Sequence, residues 1–333
     1  MSVRVRLARR AAAVVSGMAA DRIVGEPATA HPVAGFGRLL GGVERVTWGD
    51  NRGRGLAYAA SGLGIGLLSG RRLRSTAAAT WIAVAGRSLW DHAAEVGEAL
   101  ERGDLEGARE LLPNLVGRDV SGLDAGEMAS AVIESLADNT VDAVTAPALW
   151  ALAGGAPAVL GYRAVNTMDA MVGHRNERYA SFGWAAARAD DLAGWVPARV
   201  TAVLVAVARP RSAPAIVRAV LSAAPAHPSP NAGVAEAAFA AALGLRLGGT
   251  VRYGEGSAQE RPALHDGRPA RPRDIAAAIK LSDDVATLLQ ASIAVVGVAA
   301  ATVPLRRRAR RHTWRVIPES STSRSTAGPG SPT

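Results

Sequence analysis

The sequence predicts an all-α fold: a polytopic membrane protein whose helical bundle carries a cytoplasm-facing polar active site and a re-entrant helical hairpin. Three observations carry that expectation. Mean hydropathy is +0.11, with 49% hydrophobic and only 20% charged residues, which is too apolar for a disordered chain or an ordinary soluble enzyme. Several long stretches hold no charge, and much of the net +9 sits beside two of them, at 4–10 and 306–311. Finally, residues 119–162 contain no Lys or Arg, although the chain as a whole is strongly basic.

The apolar segments are taken in order. Residues 11–20 follow a basic start, but Asp21, Arg22 and Glu26 come too soon for a cleaved signal peptide, so an anchoring first helix is expected. Residues 55–70 and 75–90 flank Arg71, Arg72 and Arg74; within the first, Gly62 and Gly66 form a small-xxx-small pair that lets another helix approach closely. Residues 143–162 are uncharged but broken by Gly154-Gly-Ala-Pro157. Each half is then about 15 Å of helix, too short to span and suited to a hairpin that enters and returns. Residues 195–208 supply a further apolar segment, and 288–305, ending at three arginines, is the best single span. Residues 1–317 are therefore expected to form one integral-membrane helical domain, with 318–333 a disordered polar tail. The competing reading is an alanine-rich soluble bundle with the same helices buried.

Between these segments lie the polar motifs. Ser121-Gly-Leu-Asp124 has a helix-capping pattern, so a helix is expected to begin there. At about 100° per residue, Glu127, Glu134, Asp138 and Asp142 share one face within roughly 80°. Such a stripe is ordinarily the solvated side of a helix. Here no i,i+4 base relieves the repulsion, so a bound cation is the alternative, with Asn139 adjoining. Glu134, Asp138 and Asp142 are the candidate metal carboxylates. The complement follows at 166–179, where Asn166, Asp169, His174, Arg175 and Arg178 mix acids with guanidinium forks suited to phosphate. His174 alone would read as structural; beside Asp169 and the arginines it becomes a site candidate. Asp190 and Asp191 add a second carboxylate pair. Glu26-Pro27, His31-Pro32 and the stiff 227–233 loop are turn-rich polar inserts.

At these residues the sequence resembles the CobD/CbiB family. Arg118-Asp-Val-Ser-Gly-Leu123, Glu134-Ser-Leu-Ala-Asp-Asn-Thr-Val-Asp142, Tyr162-Arg-Ala-Val-Asn-Thr-Met-Asp169, Arg178-Tyr-Ala-Ser-Phe-Gly-Trp184, Asp190-Asp-Leu-Ala-Gly-Trp195 and His227-Pro-Ser-Pro-Asn-Ala-Gly233 carry the similarity, in the family's order. Asp138 stands where Glu is usual, which keeps the carboxylate. The resemblance implies an integral-membrane adenosylcobinamide-phosphate synthase of cobalamin biosynthesis in the cell (inner or plasma) membrane. It would be an amide-forming ligase that joins adenosylcobyric acid to (R)-1-amino-2-propanol or its O-phosphate, with ATP and Mg²⁺. The expected catalytic candidates are Asp169, Asp190, Asp191 and His174, the three aspartates being equal candidates for the base. Arg118, Asn139, Asn166, Arg175 and Arg178 would hold substrate or phosphate. The expected partners are the corrinoid, the aminopropanol (phosphate), membrane lipid, and other cobamide-assembly enzymes or a second copy of the chain.

Other classes are disfavoured. With no cysteine, disulfides, thiolate metal sites and cysteine nucleophiles are excluded. Nucleic acid is not an expected partner, because aromatics are 4% and the arginines are loaded at the ends. Lys280, the single lysine, follows no phosphate-binding glycine loop. A non-catalytic AmpE-like membrane sensor would not need the uncompensated acidic stripe, and a transporter should place its polar residues inside the spans.

Overall fold

A computed structural model describes residues 2–25, 32–117, 119–174, 176–251, 259–261 and 263–302. Arg118, Arg175, the insert at 26–31 and the tail at 318–333 therefore lie outside the described residues. The chain is helical almost throughout, in the order α1 (Val3–Val24), α2 (Pro32–Thr47), α3 (Arg52–Leu73), α4 (Thr76–Ala83), α5 (Gly86–Glu101), α6 (Leu105–Leu111) and α7 (Ala125–Thr140). A π-helical turn, Val141–Thr145, leads into α8 (Ala146–Gly154) and α9 (Ala156–Val172). Then come α10 (Trp184–Ala208), α11 (Ala213–Ser222), α12 (Ala232–Leu243) and α13 (Asp274–Thr302). Between the last two lie β1 (Leu245–Arg246), paired in parallel with β4 (Arg268–Pro269), and β2 (Gly249–Val251), antiparallel to β3 (Gln259–Arg261). These short strands are an addition to the all-α expectation. The helices belong to a unit that ends at Ala301.

Local chemistry sets the helix starts. Side chains of Ser2, Asn51, Ser75 and Asp104 accept hydrogen bonds from the first-turn N–H groups of α1, α3, α4 and α6. Helix α7 corrects the sequence reading. Its cap is Asp124 with Glu127 in a reciprocal box, not Ser121, so Glu127 is held at the helix end and drops out of the acidic stripe. The expected apolar segment at 75–90 is also corrected: the chain breaks at Val84-Ala85. The cause is tertiary. Pro147 offers no N–H to the Ala143 carbonyl one turn back, and the Ala85 N–H takes that carbonyl at 3.0 Å.

Helix α3 lies along α9 in close contact, as its glycines predict. A Cβ on Gly66 would stand 2.6 Å from the Leu160 carbonyl oxygen and 2.8 Å from the Ala164 Cβ. The chain also reverses between two helices where the Gly154–Pro157 break predicts it. Gly155 (φ 71°, ψ −158°) reverses the chain in a conformation open mainly to glycine, and Pro157 starts the return arm. Rise and return bring Tyr162, 20 residues on, and Asn166, 24 residues on, back beside Asp142.

Among the described residues two helices, α10 and α13, are long and apolar enough to cross a membrane. The expected segments 195–208 and 288–305 fall within them as far as Thr302. Helix α3 has the length without the apolarity. Leu192, Val203 and Val207 on α10, and Val295 and Val298 on α13, are exposed.

Candidate active site

A cleft of about 400 Å³ opens among α7, α9, α10 and the start of α12. It brings together Glu134, Asp138, Asn139, Asp142, Asp169, His174 and Asp190 from the predicted set. No Arg or Lys is among the described residues that line it. The acidic stripe thus faces an open cleft shared by several helices.

Each acid is placed by identifiable local chemistry. Glu134 is buried at 6% exposure and its Oε1 accepts from Ser130 Oγ and from the Gly248 N–H, both at 3.1 Å. Asn139 donates to the Ser135 carbonyl at 3.0 Å, and Ser135 Oγ donates to the Leu115 carbonyl, which fixes that wall. Asp142 sits in the π turn, whose extra residue re-aims the helix where an ideal α turn would carry the side chain past.

Asn166 is the junction. Its Nδ2 donates to Asp142 Oδ2 at 2.9 Å and to Asp190 Oδ1 at 3.4 Å, while its Oδ1 accepts from Arg163 Nη1 at 3.2 Å. The Tyr162 hydroxyl adds a bond to the Asp142 carbonyl at 3.2 Å. The guanidinium thereby orients the amide so that its N–H groups, not its oxygen, meet two carboxylates. Burial pushes the Asp142 carboxyl above the ordinary range, against the opposing pull of Asn166, Arg163 and Tyr162. Asp169 is raised to about 6, first by burial and then by the charges of Asp142 and Asp191.

Carboxylates of this kind fit a divalent cation, though not in the predicted arrangement. Glu134, Asp138 and Asp142 follow one another a turn apart along one helix, about 12 Å from first to last, too far for one ion. Among the described residues no three His, Asp or Glu side chains are preassembled around a single metal position. Asp142 and Asp190, from different elements and linked through Asn166, are the better pair. A cation that keeps its waters and phosphate oxygens needs only one or two protein carboxylates.

The remaining candidates are placed elsewhere. Asp191, next to Asp190, is not among the residues that line the cleft and pairs with Arg188 at 3.7 Å, although its charge still reaches Asp169. Arg178 pairs with Glu44 at 3.4 Å and lies over the rings of Trp48 and Tyr179 rather than lining the cleft. His174 lines it, with Nε2 3.0 Å from the Ala170 carbonyl. His227, Asn231 and Glu236 also line the cleft; the sequence reading noted the first two within the 227–233 motif but named none of the three as a site residue. The signal was available in Glu236: a lone carboxylate in the run Ala-Gly-Val-Ala-Glu-Ala-Ala-Phe, where a buried charge is costly. A second groove of about 640 Å³, apolar and lined by Leu63, Trp150 and Leu192, lies on the far side of Tyr162.

A family model described as CobD/Cbib protein matches residues 14–282. A cobalamin biosynthesis protein CobD of Mycobacterium tuberculosis is 46% identical over 302 residues, covering 87% of this chain and 95% of that protein. Proteins of the same name from Chromobacterium violaceum and Geobacter metallireducens are 42% and 38% identical, covering 78% and 80% of this chain and 88% and 89% of theirs. No solved structure matches.

Proposed function

The chain belongs to the CobD/CbiB family, and on that premise we propose that it is the amide-forming ligase of cobalamin biosynthesis. It joins a propionate carboxylate of adenosylcobyric acid to the amine of (R)-1-amino-2-propanol or its O-phosphate, at the expense of ATP. The observation that carries the reading is the cleft in which Asp142, Asp169 and Asp190, drawn from three separate elements, meet around Asn166.

A carboxylate does not react with an ammonium ion at neutral pH, because one has a poor leaving group and the other no lone pair. Phosphorylating the carboxylate gives an acyl phosphate and releases ADP; the free amine then displaces phosphate. Asp142 and Asp190 would hold Mg²⁺, which would supply positive charge against the transferring phosphoryl group. The protein's own part is to orient the carboxylate and amine, exclude water from the acyl phosphate and accept protons. Arg118 and Arg175 remain the proposed phosphate forks. The corrin with its adenosyl ligand exceeds the cleft, so the reacting arm enters and the macrocycle stays outside.

The membrane setting belongs to the same proposal. Exposed aliphatic side chains on α10 and α13 suit lipid contact, and the arginines near both ends suit a multi-pass plasma-membrane protein with its cleft facing the cytoplasm. Because the chain has no cysteine, single cysteines at Ser121 and Ser181 report sidedness cleanly. Both should resist an impermeant thiol reagent on intact cells and react after permeabilisation; opposite labelling sinks the shared cytoplasmic site. The activity test is purified protein in detergent with ATP, Mg²⁺, adenosylcobyric acid and aminopropanol phosphate, read by mass for the amide. ATP-dependent product is expected, and its absence from folded protein rejects the ligase assignment.

A further inference from the structure

The apolar groove behind Tyr162 has no part in the ligase reading. It measures about 640 Å³ and runs between α3, the α8 and α9 arms of the reversal and the first half of α10. Among the side chains that line it, only those of Trp150 and Tyr162 carry a polar atom. Both are engaged: Trp150 Nε1 donates to the Ala193 carbonyl at 3.1 Å, and the Tyr162 hydroxyl donates to the Asp142 carbonyl at 3.2 Å. An occupant is therefore offered dispersion and dehydration, and no free side-chain donor. That suits a hydrocarbon chain and not a ligand fringed with amides or hydroxyls.

The two rims of the groove say which hydrocarbon. Leu192 and Val196, which form its α10 wall, are exposed and continue into the exposed Val203 and Val207. The four fall within about 60° around the helix, so the groove opens onto one aliphatic face. At the tip of the reversal the chemistry changes. A Cβ on Gly70 would stand 2.3 Å from the Ala156 carbonyl oxygen, and this close approach sets the exposed Arg71, Arg72 and Arg74 beside that end of the groove. Arg10 of α1 donates to the carbonyl of Ala153, which lines it. Among the described residues none of these four arginines pairs with a carboxylate. Guanidinium groups at one end of an apolar channel match an amphiphile with an anionic head and an aliphatic tail.

We propose that the groove binds an acyl chain of one anionic membrane phospholipid, whose phosphate is taken by the arginines at the tip of the reversal. The proposal rests on the membrane setting given above and not on the amide chemistry. The bound chain lies against the ring of Tyr162, so lipid and acidic cleft share one side chain: its ring faces the first and its hydroxyl the second.

The test uses the purified chain in detergent with phosphatidylglycerol or phosphatidylcholine carrying brominated acyl chains, which quench tryptophan fluorescence on contact. Wild-type protein should show a saturable quench, reached at about tenfold less phosphatidylglycerol than phosphatidylcholine. Trp150→Phe should lose the saturable part and keep the unsaturable quench of the remaining tryptophans. Ala193→Phe, which fills the groove, should abolish saturation, and Ala153→Phe does the same from the other arm if the first folds poorly. Arg71→Gln with Arg72→Gln should saturate equally with either lipid. Wild-type quenching that never saturates overturns the proposal, as does equal affinity of the wild-type protein for the two lipids. Displacement of the brominated lipid by adenosylcobyric acid gives the groove to the corrinoid and also overturns it. A chain that stays monodisperse without detergent defeats the membrane setting itself, whereas one that needs detergent and shows no saturable quench defeats only the lipid site.

Discussion

Helix α9 has two faces that obey different physics. One packs on α3 through small residues, with Gly161 and Ala164 against Gly66, and gains stability from dispersion and close backbone approach. The other turns Tyr162, Asn166 and Asp169 toward the acids of the cleft, where burial raises carboxyl pKa values and costs stability. The difference teaches that one helix can spend on one side what it gains on the other, and that mutations on the two faces should fail in opposite ways.

The sharpest contrast comes from Asp142→Asn, which should cut amide formation about 1000-fold or more while the protein folds and melts as before or slightly higher. Near-normal turnover would remove Asp142 from the proposed chemistry. Gly66→Val should do the reverse, because its side chain would overlap the Leu160 carbonyl. A destabilisation of about 3 kcal/mol or more is expected, seen as poor recovery in detergent, with normal KM in the fraction that folds. A well-folded valine variant would break the account of the packing face.

Asp169 gives the comparison a pH axis. Its folded pKa of about 6 stands above the 3.8 of the exposed group, so its protonated form favours folding. The resulting stability is fully present below about pH 4 and is lost as pH rises through about 6, amounting to up to about 3 kcal/mol. Melting in detergent without divalent cations should fall across that window, Asp169→Asn should flatten the fall, and Mg²⁺ should restore part of it at pH 7. A pH-independent melting curve would mean the carboxyl is not desolvated. The smallest effect is expected at Asp191→Asn, within about twofold in amide rate, because Asp191 pairs with Arg188 and is not among the residues that line the cleft. A large loss there would reopen the choice between the adjacent acids.

What the sequence made legible was whatever had a period or a punctuation mark. The acid spacing on α7, the glycine pair on α3 and the Gly154–Pro157 break each carried enough local information to place a face, a contact and a reversal. The errors came where the deciding partner is remote. Ser121 looked like a cap, but Asp124 with Glu127 closes the box three residues later. Residues 75–90 looked continuous until Ala85 found its partner in a segment far along the chain. Asp190 and Asp191 were indistinguishable until the helix phase was known. Glu134, Asp138 and Asp142 were read as metal carboxylates from their shared face, and angle on a helical wheel says nothing about distance along the axis. Glu236 was passed over for the opposite reason: it has no periodic company, only a cost.

The Ala85–Ala143 hydrogen bond has a consequence for how this protein can change over time. The turn that aims Asp142 depends on a backbone amide contributed by a junction with no functional side chain. Every residue but proline carries that amide, so this hydrogen bond does not depend on which side chain stands at 85. Proline, which has no N–H, would leave the Ala143 carbonyl without its donor and loosen the turn beneath Asp142. The site is thus protected by a constraint that side-chain identity does not display: it lies in a backbone N–H that proline alone lacks.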